Sequence, residues 1–313
     1  MNAPRPTSSA RAPLPDSGPR VTAFPGQSAI GNRQSAIAFT LIELLVVISI
    51  IGLIAALGVP ALKNLGKSNL ATSAAQQLLD DVAHARQLAI SQRTTVYMVF
   101  VTTNFWVRDI FGNGNLNWTN QLTQEEKSQL ANLSALQLSG YNFISQGAVG
   151  DQPGSHQWRY LSTWQSLPQG NYIAVWKFLP RNHVTFPLVL GRTPSFPGFP
   201  VYGFNAANKF PFPTTNLLPS GTVTPPLLPF IAFNHLGQLT TDGKNFATDD
   251  EYIPLAQGSV VYNYDLNKQP VMTPLTSKNI EENPVNGSTS SAFTLVHIDA
   301  LTGRARLEFQ KVQ

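Results

Sequence analysis

Phe39-Thr40-Leu41-Ile42-Glu43-Leu44-Leu45-Val46-Val47 opens an apolar span that runs from Ala38 to Leu62 and carries one charged residue, Glu43. About 20 apolar residues suffice to cross a bilayer. As a helix, the part from Phe39 to Pro60 would extend about 33 Å. A carboxylate at the centre of such a segment costs on the order of 3 kcal/mol. A sequence that retains this cost needs a partner for the charge, so the reading turns on Glu43.

These residues, with Pro60 near the far end, resemble the N-terminus of type IV pilins and type II secretion pseudopilins. The resemblance implies a prepilin peptidase that cuts between Ala38 and Phe39, and N-methylation of the new Phe39 amine. It also implies that Glu43 pairs with the terminal amine of a neighbouring subunit. The family usually has Gly before the cut; Ala38 is the closest alternative in size. Further partners implied are other pseudopilins or pilins through the N-terminal helix, and an inner-membrane assembly platform. The implied location is the bacterial inner membrane, crossed once, with the N-terminus cytoplasmic and the C-terminal domain periplasmic, before assembly in a pseudopilus.

Composition fits that setting. Of 313 residues, 42% are hydrophobic and 12% are charged, the latter about half the usual fraction. With 24 Pro and 22 Gly, the chain reads as a β-rich, loop-rich exported domain rather than a charged cytosolic enzyme. It has no Cys, which excludes disulfides, thiol catalysis and cysteine metal sites. The net charge is +4, of which Arg5, Arg11, Arg20 and Arg33 against Asp16 supply +3 within residues 1–38. The remainder is close to neutral and lacks the footprint of non-specific DNA binding, so no nucleic acid is expected.

Residues 1–38, rich in Pro, Ser, Ala and Arg, read as a disordered basic leader, with a start nearer Phe39 as the competing reading. Its charge puts that side in the cytoplasm. Residues 39–92 read as a transmembrane and stalk helix, kinked at Pro60, which lacks a backbone donor. Beyond it, Leu78, Leu79, Val82, Ala85, Ala89 and Ile90 recur at spacings of three and four, a buried stripe opposite Asp80, Asp81, Arg86 and Gln87.

Residues 93–313 read as a periplasmic β-rich domain with an insertion at about 105–225. Thr94–Val101 is β-branched and aromatic, a strand. The preceding run from His84 to Arg93 resembles the helix-to-strand junction of H-type minor pseudopilins and FimT-like minor pilins. Phe105–Phe111 is expected as a second strand. Thr123 to Glu126 is a capping-box signature for a helix to about Leu138. Strands are expected at Gly170–Leu179, Asn182–Leu190 and Pro229–Asn234. The Pro-dense stretch 193–229 is expected to be loop, with Phe196, Phe199, Tyr202, Phe204, Phe210 and Phe212 packed inward. Ala292–Ile298 and Arg304–Phe309 form a hairpin about Asp299–Gly303. The expected fold class is α+β: a long N-terminal hydrophobic helix packed on an antiparallel β-rich domain.

Catalytic constellations are lacking. His84, His156, His183, His235 and His297 have no metal-ligand spacing, no Gly motif cradles phosphate, and no nucleophile elbow is present. Asp242, Asp249, Asp250 and Glu251 offer oxygens of the kind calcium takes, but without EF-hand spacing they read as a solvated loop. Arg304 and Arg306 read as a solvated strand face, and most of the five Trp as core. The expectation is a protein without enzyme activity, cofactor or metal: a minor pseudopilin of a type II secretion system. The alternatives are a minor type IV pilin serving adhesion or DNA uptake, or a pilin-anchored surface display or binding protein.

Overall fold

Val96–Phe100, strand β1, is buried at all five positions, and alternate side chains enter two different cores. Val96, Met98 and Phe100 join one; Tyr97 and Val99 join the other. A strand buried on both faces needs a continuous apolar run rather than an alternating one, which is what Val-Tyr-Met-Val-Phe supplies.

The computed structural model describes residues 40–107, 118–147, 149–151, 157–179, 201–213, 227–282 and 294–308, without the side chains of 57–69, 118 and 121. The fold is α+β with antiparallel sheets. The chain divides into two compact units, Met1–Ala56 and Leu57–Gln313.

In the first unit, helix α1 begins at Leu41; its backbone stays helical to Gln92, through Pro60. Its start is a reciprocal cap. The Glu43 amide donates to Thr40 Oγ1, and the Thr40 amide and hydroxyl donate to Glu43 Oε2, each at 3.2 Å. This is a capping box, which satisfies amides left free by the first turn.

In the second unit, α1 carries Ala75, Leu78, Val82, Ala85 and Ala89 into the first core. It ends at Gln92, and the next residue, Arg93, has φ +50°; the Thr94 amide donates to Ala89 O at 3.3 Å. Four residues depart from the expected faces; Leu79 and Arg86 are half-buried. Ile90 is exposed, and Asp81 is half-buried because it meets Tyr141.

Ten further strands build two sheets: β2 Gly140–Gln146, β3 Trp158–Tyr160, β4 Gln165–Ser166, β5 Asn171–Ile173, β6 Phe230–Phe233, β7 Leu239–Thr240, β8 Glu251–Val260, β9 Ile280–Glu282, β10 Thr294–Ile298 and β11 Ala305–Glu308. The first sheet has the order β3-β2-β1-β6-β7, with β4 also on β2; the second has the order β11-β10-β8-β5, with β9 also on β8. Both are antiparallel throughout. The second core lies under helix α2, Gln124–Ser134, whose Leu130 and Leu133 pack with Tyr97, Val99, Phe210, Phe212 and Phe230.

The expected strand at β1, the strand ending at Phe233, the terminal hairpin and the Thr123 capping box are all present. Phe204, Phe210 and Phe212 are buried as expected; Phe196 and Phe199 lie outside the described residues, as do 182–190.

Three expectations are corrected. Residues 103–107 form turns rather than a strand, with Phe105 and Trp106 buried. Helix α2 stops at Ser134, before a turn in which Leu138 has φ +66°. The strand from Gly170 breaks after Ile173 into a 3-10 turn, Val175–Phe178. The described parts of residues 105–225 contribute strands to both sheets. They supply β2, paired with β1 from Tyr141 to Ser145, and β5, paired with β8.

Candidate functional site

The first unit presents one candidate surface. From Leu41 to Ile54 the large apolar side chains of α1 are between 44% and 82% exposed. Leu44, Leu45, Val46 and Val47 are consecutive and all exposed; at 3.6 residues per turn they point to every side of the helix. The described part, Leu41–Ala56, contains no charge except Glu43 in the first turn. A carboxylate there also faces the positive end of the helix dipole. Among the described residues, no helix is long and apolar enough to cross a membrane. Apolar side chains are described only as far as Ala56, while the apolar sequence continues to Leu62.

Of the residues expected to act, Ala38 and Phe39 lie outside the described set. Pro60 lies in the helical backbone, its side chain outside that set. Glu43 is placed, with Oε2 held by Thr40.

In the second unit, polar groups tie α1 to the sheets. The Tyr141 hydroxyl donates to Asp81 Oδ2, and Gln77 Nε2 donates to Tyr141 at 2.8 Å and to Ser166 O at 3.0 Å. Burial pushes the Asp81 carboxyl above its ordinary value, against the opposing pull of Tyr141 and His84. Burial, reinforced by Asp81, also raises the Tyr141 hydroxyl. Arg86 Nε donates to Thr302 O at 2.7 Å, joining α1 to the β10–β11 turn.

Two charged groups were not legible in the sequence. Lys177 and Glu251 form a buried ion pair, the lysine 0% exposed. Lys177 Nζ also donates to Tyr202 O at 2.8 Å and lies 4.7 Å from the Phe204 ring centroid. His297, also buried, meets Asp250 Oδ2 through Nε2 and Glu308 Oε1 through Nδ1, each at 2.7 Å.

The acidic cluster is therefore not a solvated loop as a whole. Glu251 is buried with Lys177, and Asp250 binds His297 and the Ala300 amide. Asp242 does remain in an exposed turn. Its oxygens accept from the Lys244 and Asn245 amides at 2.8 and 2.7 Å, and these bonds hold its carboxyl below the ordinary value. Among the described residues no group of three or more His, Asp or Glu is arranged to hold a metal ion. Arg304 and Arg306 are exposed on their strand face, as expected, and Arg306 pairs with Glu308 at 3.0 Å.

Compared with known proteins, the chain matches no family model, no curated protein and no solved structure.

Proposed function

We propose that the protein is a prepilin-like structural subunit, cut between Ala38 and Phe39 by a prepilin peptidase and built into a type II secretion pseudopilus as a minor pseudopilin. The observation that carries this reading is the helix from Leu41 to Ala56, apolar and exposed on every side, with Glu43 as its one charge. Each large apolar side chain gains about 1.5–3 kcal/mol when fully buried. Hydrocarbon, or a bundle of equivalent helices, supplies that burial.

Glu43 decides between a plain anchor and an assembling subunit. Its cost inside hydrocarbon is about 3 kcal/mol. An ammonium about 4 Å away returns about 4 kcal/mol at an effective dielectric of 20. Pairing with the Phe39 amine of a neighbouring subunit therefore offsets the cost and favours lateral association of helices.

The test is the intact mass and N-terminal sequence of the protein from native membranes. A chain starting at methylated Phe39 supports the proposal. A chain retaining residues ahead of Phe39, or cut elsewhere, overturns it in favour of a pilin-anchored display protein.

A further inference from the structure

Strand β11 lies at the end of its sheet, and among the described residues it pairs with β10 alone. Its ladder is short, from Ala305 to Glu308, and a side-chain contact reinforces it. Glu308 Oε1 lies 2.7 Å from His297 Nδ1 on β10, and Asp250 Oδ2, ahead of β8, lies 2.7 Å from Nε2 of the same ring. The ring is buried, its side chain 6% exposed, and one face is covered by Tyr252.

Counting protons fixes what this trio can do. An ionised carboxylate only accepts hydrogen bonds. Each of the two N···O contacts needs a proton between its atoms, so both persist only while the trio holds two protons. A neutral imidazole brings one. A second makes the ring a cation between two anions, and both bonds are then charge-assisted. Without it, one carboxylate oxygen faces a bare ring nitrogen, lone pair against lone pair.

The two contacts are not equally free to open. Asp250 is also held through Oδ1, which accepts from the Ala300 amide at 2.8 Å. Glu308 ends an edge strand, and its Oε1 also accepts from the exposed Arg306 at 3.0 Å. Glu308 can therefore leave the ring and keep Arg306. The charged surroundings come from each neighbouring element. Asp250 and Tyr252 stand on the β8 side, Arg306 opposite His297 on β11, and Asp299 in the β10–β11 turn. The Thr302 hydroxyl and amide hold the Asp299 carboxyl below its ordinary value, and the charge of His297 adds to this. From α1, Arg86 reaches the same turn through Thr302 O.

We propose that Asp250, His297 and Glu308 form a pH-operated clasp on the β10–β11 hairpin: with two protons it locks β11 to the sheet, and the loss of one frees Glu308 and loosens the strand. The locked hairpin binds a proton that the loosened one gives up. Protection is therefore complete at the acid end of the imidazole range and falls as the pH rises. Because the turn of this hairpin accepts from Arg86, the clasp also sets how firmly the second unit holds α1 there. The device goes beyond the function proposed above and stands whether or not the chain is cut at Phe39.

The test is amide hydrogen exchange of the full chain in mild detergent between about pH 5 and about pH 8, the range in which imidazoles titrate. Rates are corrected for the intrinsic effect of pH, and β1 with β2 serves as the internal reference. The expected result is a step in which β11 loses about tenfold or more of its protection, the worth of one hydrogen bond to a charged group, while the reference holds. The step should coincide with the titration of the His297 ring followed by nitrogen NMR. Glu308→Gln distinguishes the clasp from a merely structural contact. Its amide can donate to a bare ring nitrogen, so one ring proton then serves both contacts. That variant should keep β11 protected at the alkaline end and show no step. An unchanged β11 in the wild-type, a step at a pH where the His297 ring does not titrate, or a step of full size in Glu308→Gln overturns the proposal. The first two outcomes are read on the wild-type chain alone, so they decide the matter even where the variant fails to fold.

Discussion

The imidazole of His297 stacks on the ring of Tyr252, with centroids 4.4 Å apart and planes 20° from parallel. The two residues are opposite one another on β10 and β8. In that position the imidazole reaches Asp250 with one nitrogen and Glu308 with the other. One side chain thus ties together three strands of the second sheet. Burial, together with the charges of Asp250 and Glu308, pushes the Tyr252 hydroxyl up to about 12.

His297→Ala removes the stacked ring and both polar contacts. Loss of hydrogen bonds to charged groups costs about 2 kcal/mol. The denaturant midpoint should fall accordingly, with faster amide exchange at Val296 and Ile298. A midpoint equal to that of the wild-type would show that the three-strand tie carries no stability.

Lys177→Met removes the lysine charge that faces the buried Glu251, and Glu251→Gln removes the carboxylate charge that faces Lys177. Breaking one side of a buried pair costs about 3–5 kcal/mol. Replacing both, by Lys177→Met with Glu251→Leu, should recover much of that loss, because neither charge is then desolvated alone. Additive losses in urea unfolding of the double variant would refute this account.

Asp81 predicts a pH dependence. Its folded value is raised above 3.8 by burial, so folding favours the neutral carboxyl. That stabilisation is complete below 3.8 and is lost as the pH rises through the folded value. Asp81→Asn stays neutral at every pH. Its stability relative to wild-type should therefore improve as the pH is raised from below that point to neutrality, in parallel unfolding curves. The opposite slope would mean that the Tyr141 bond outweighs burial.

Gly303 has φ +62°, and an added Cβ would strike Gly237 O. Gly303→Ala should destabilise the domain by more than about 1 kcal/mol, since both the conformation and the space oppose it. Thermal unfolding measures the loss. Loss of protection near Thr302 would report release of its carbonyl from Arg86.

Glu43 has two separable roles, as a cap within its own helix and as a charge for a neighbour. Glu43→Gln keeps an N3 side chain able to complete the capping box, whereas Glu43→Ala does not. Under the proposed function both variants insert in the membrane and neither assembles. Normal incorporation of Glu43→Gln into filaments would assign the residue to capping alone.

Elements with a strong local signal were legible. The helix stripe at Leu78, Val82, Ala85 and Ala89, the run Val96–Phe100, the Thr123–Glu126 box and the terminal hairpin each carry their pattern within a few residues. β8 was not legible. Its Glu251, Pro254 and Gly258 disguise a strand, because Pro normally removes a ladder donor. Here β8 lies between β10 and β5, with Pro254 opposite Leu295 and its carbonyl accepting from Ala174 at 3.0 Å. The run from Gly170 carried a strand signal that gives way after Ile173 to a 3-10 turn. That turn buries Lys177 against a carboxylate from β8.

By itself, the sequence determined the helical apolar run from Leu41 to Ala56 and its single acid, because helical period and charge are properties of neighbouring residues. It also excluded thiol chemistry and kept the net charge low. Tertiary structure alone decided which acids are solvated and which are held: Asp242 in its own turn, Glu251 on Lys177, Asp250 and Glu308 on His297. The reason is that a charge is stabilised by what lies within a few ångströms in space, and sheet pairing brings together residues far apart along the chain.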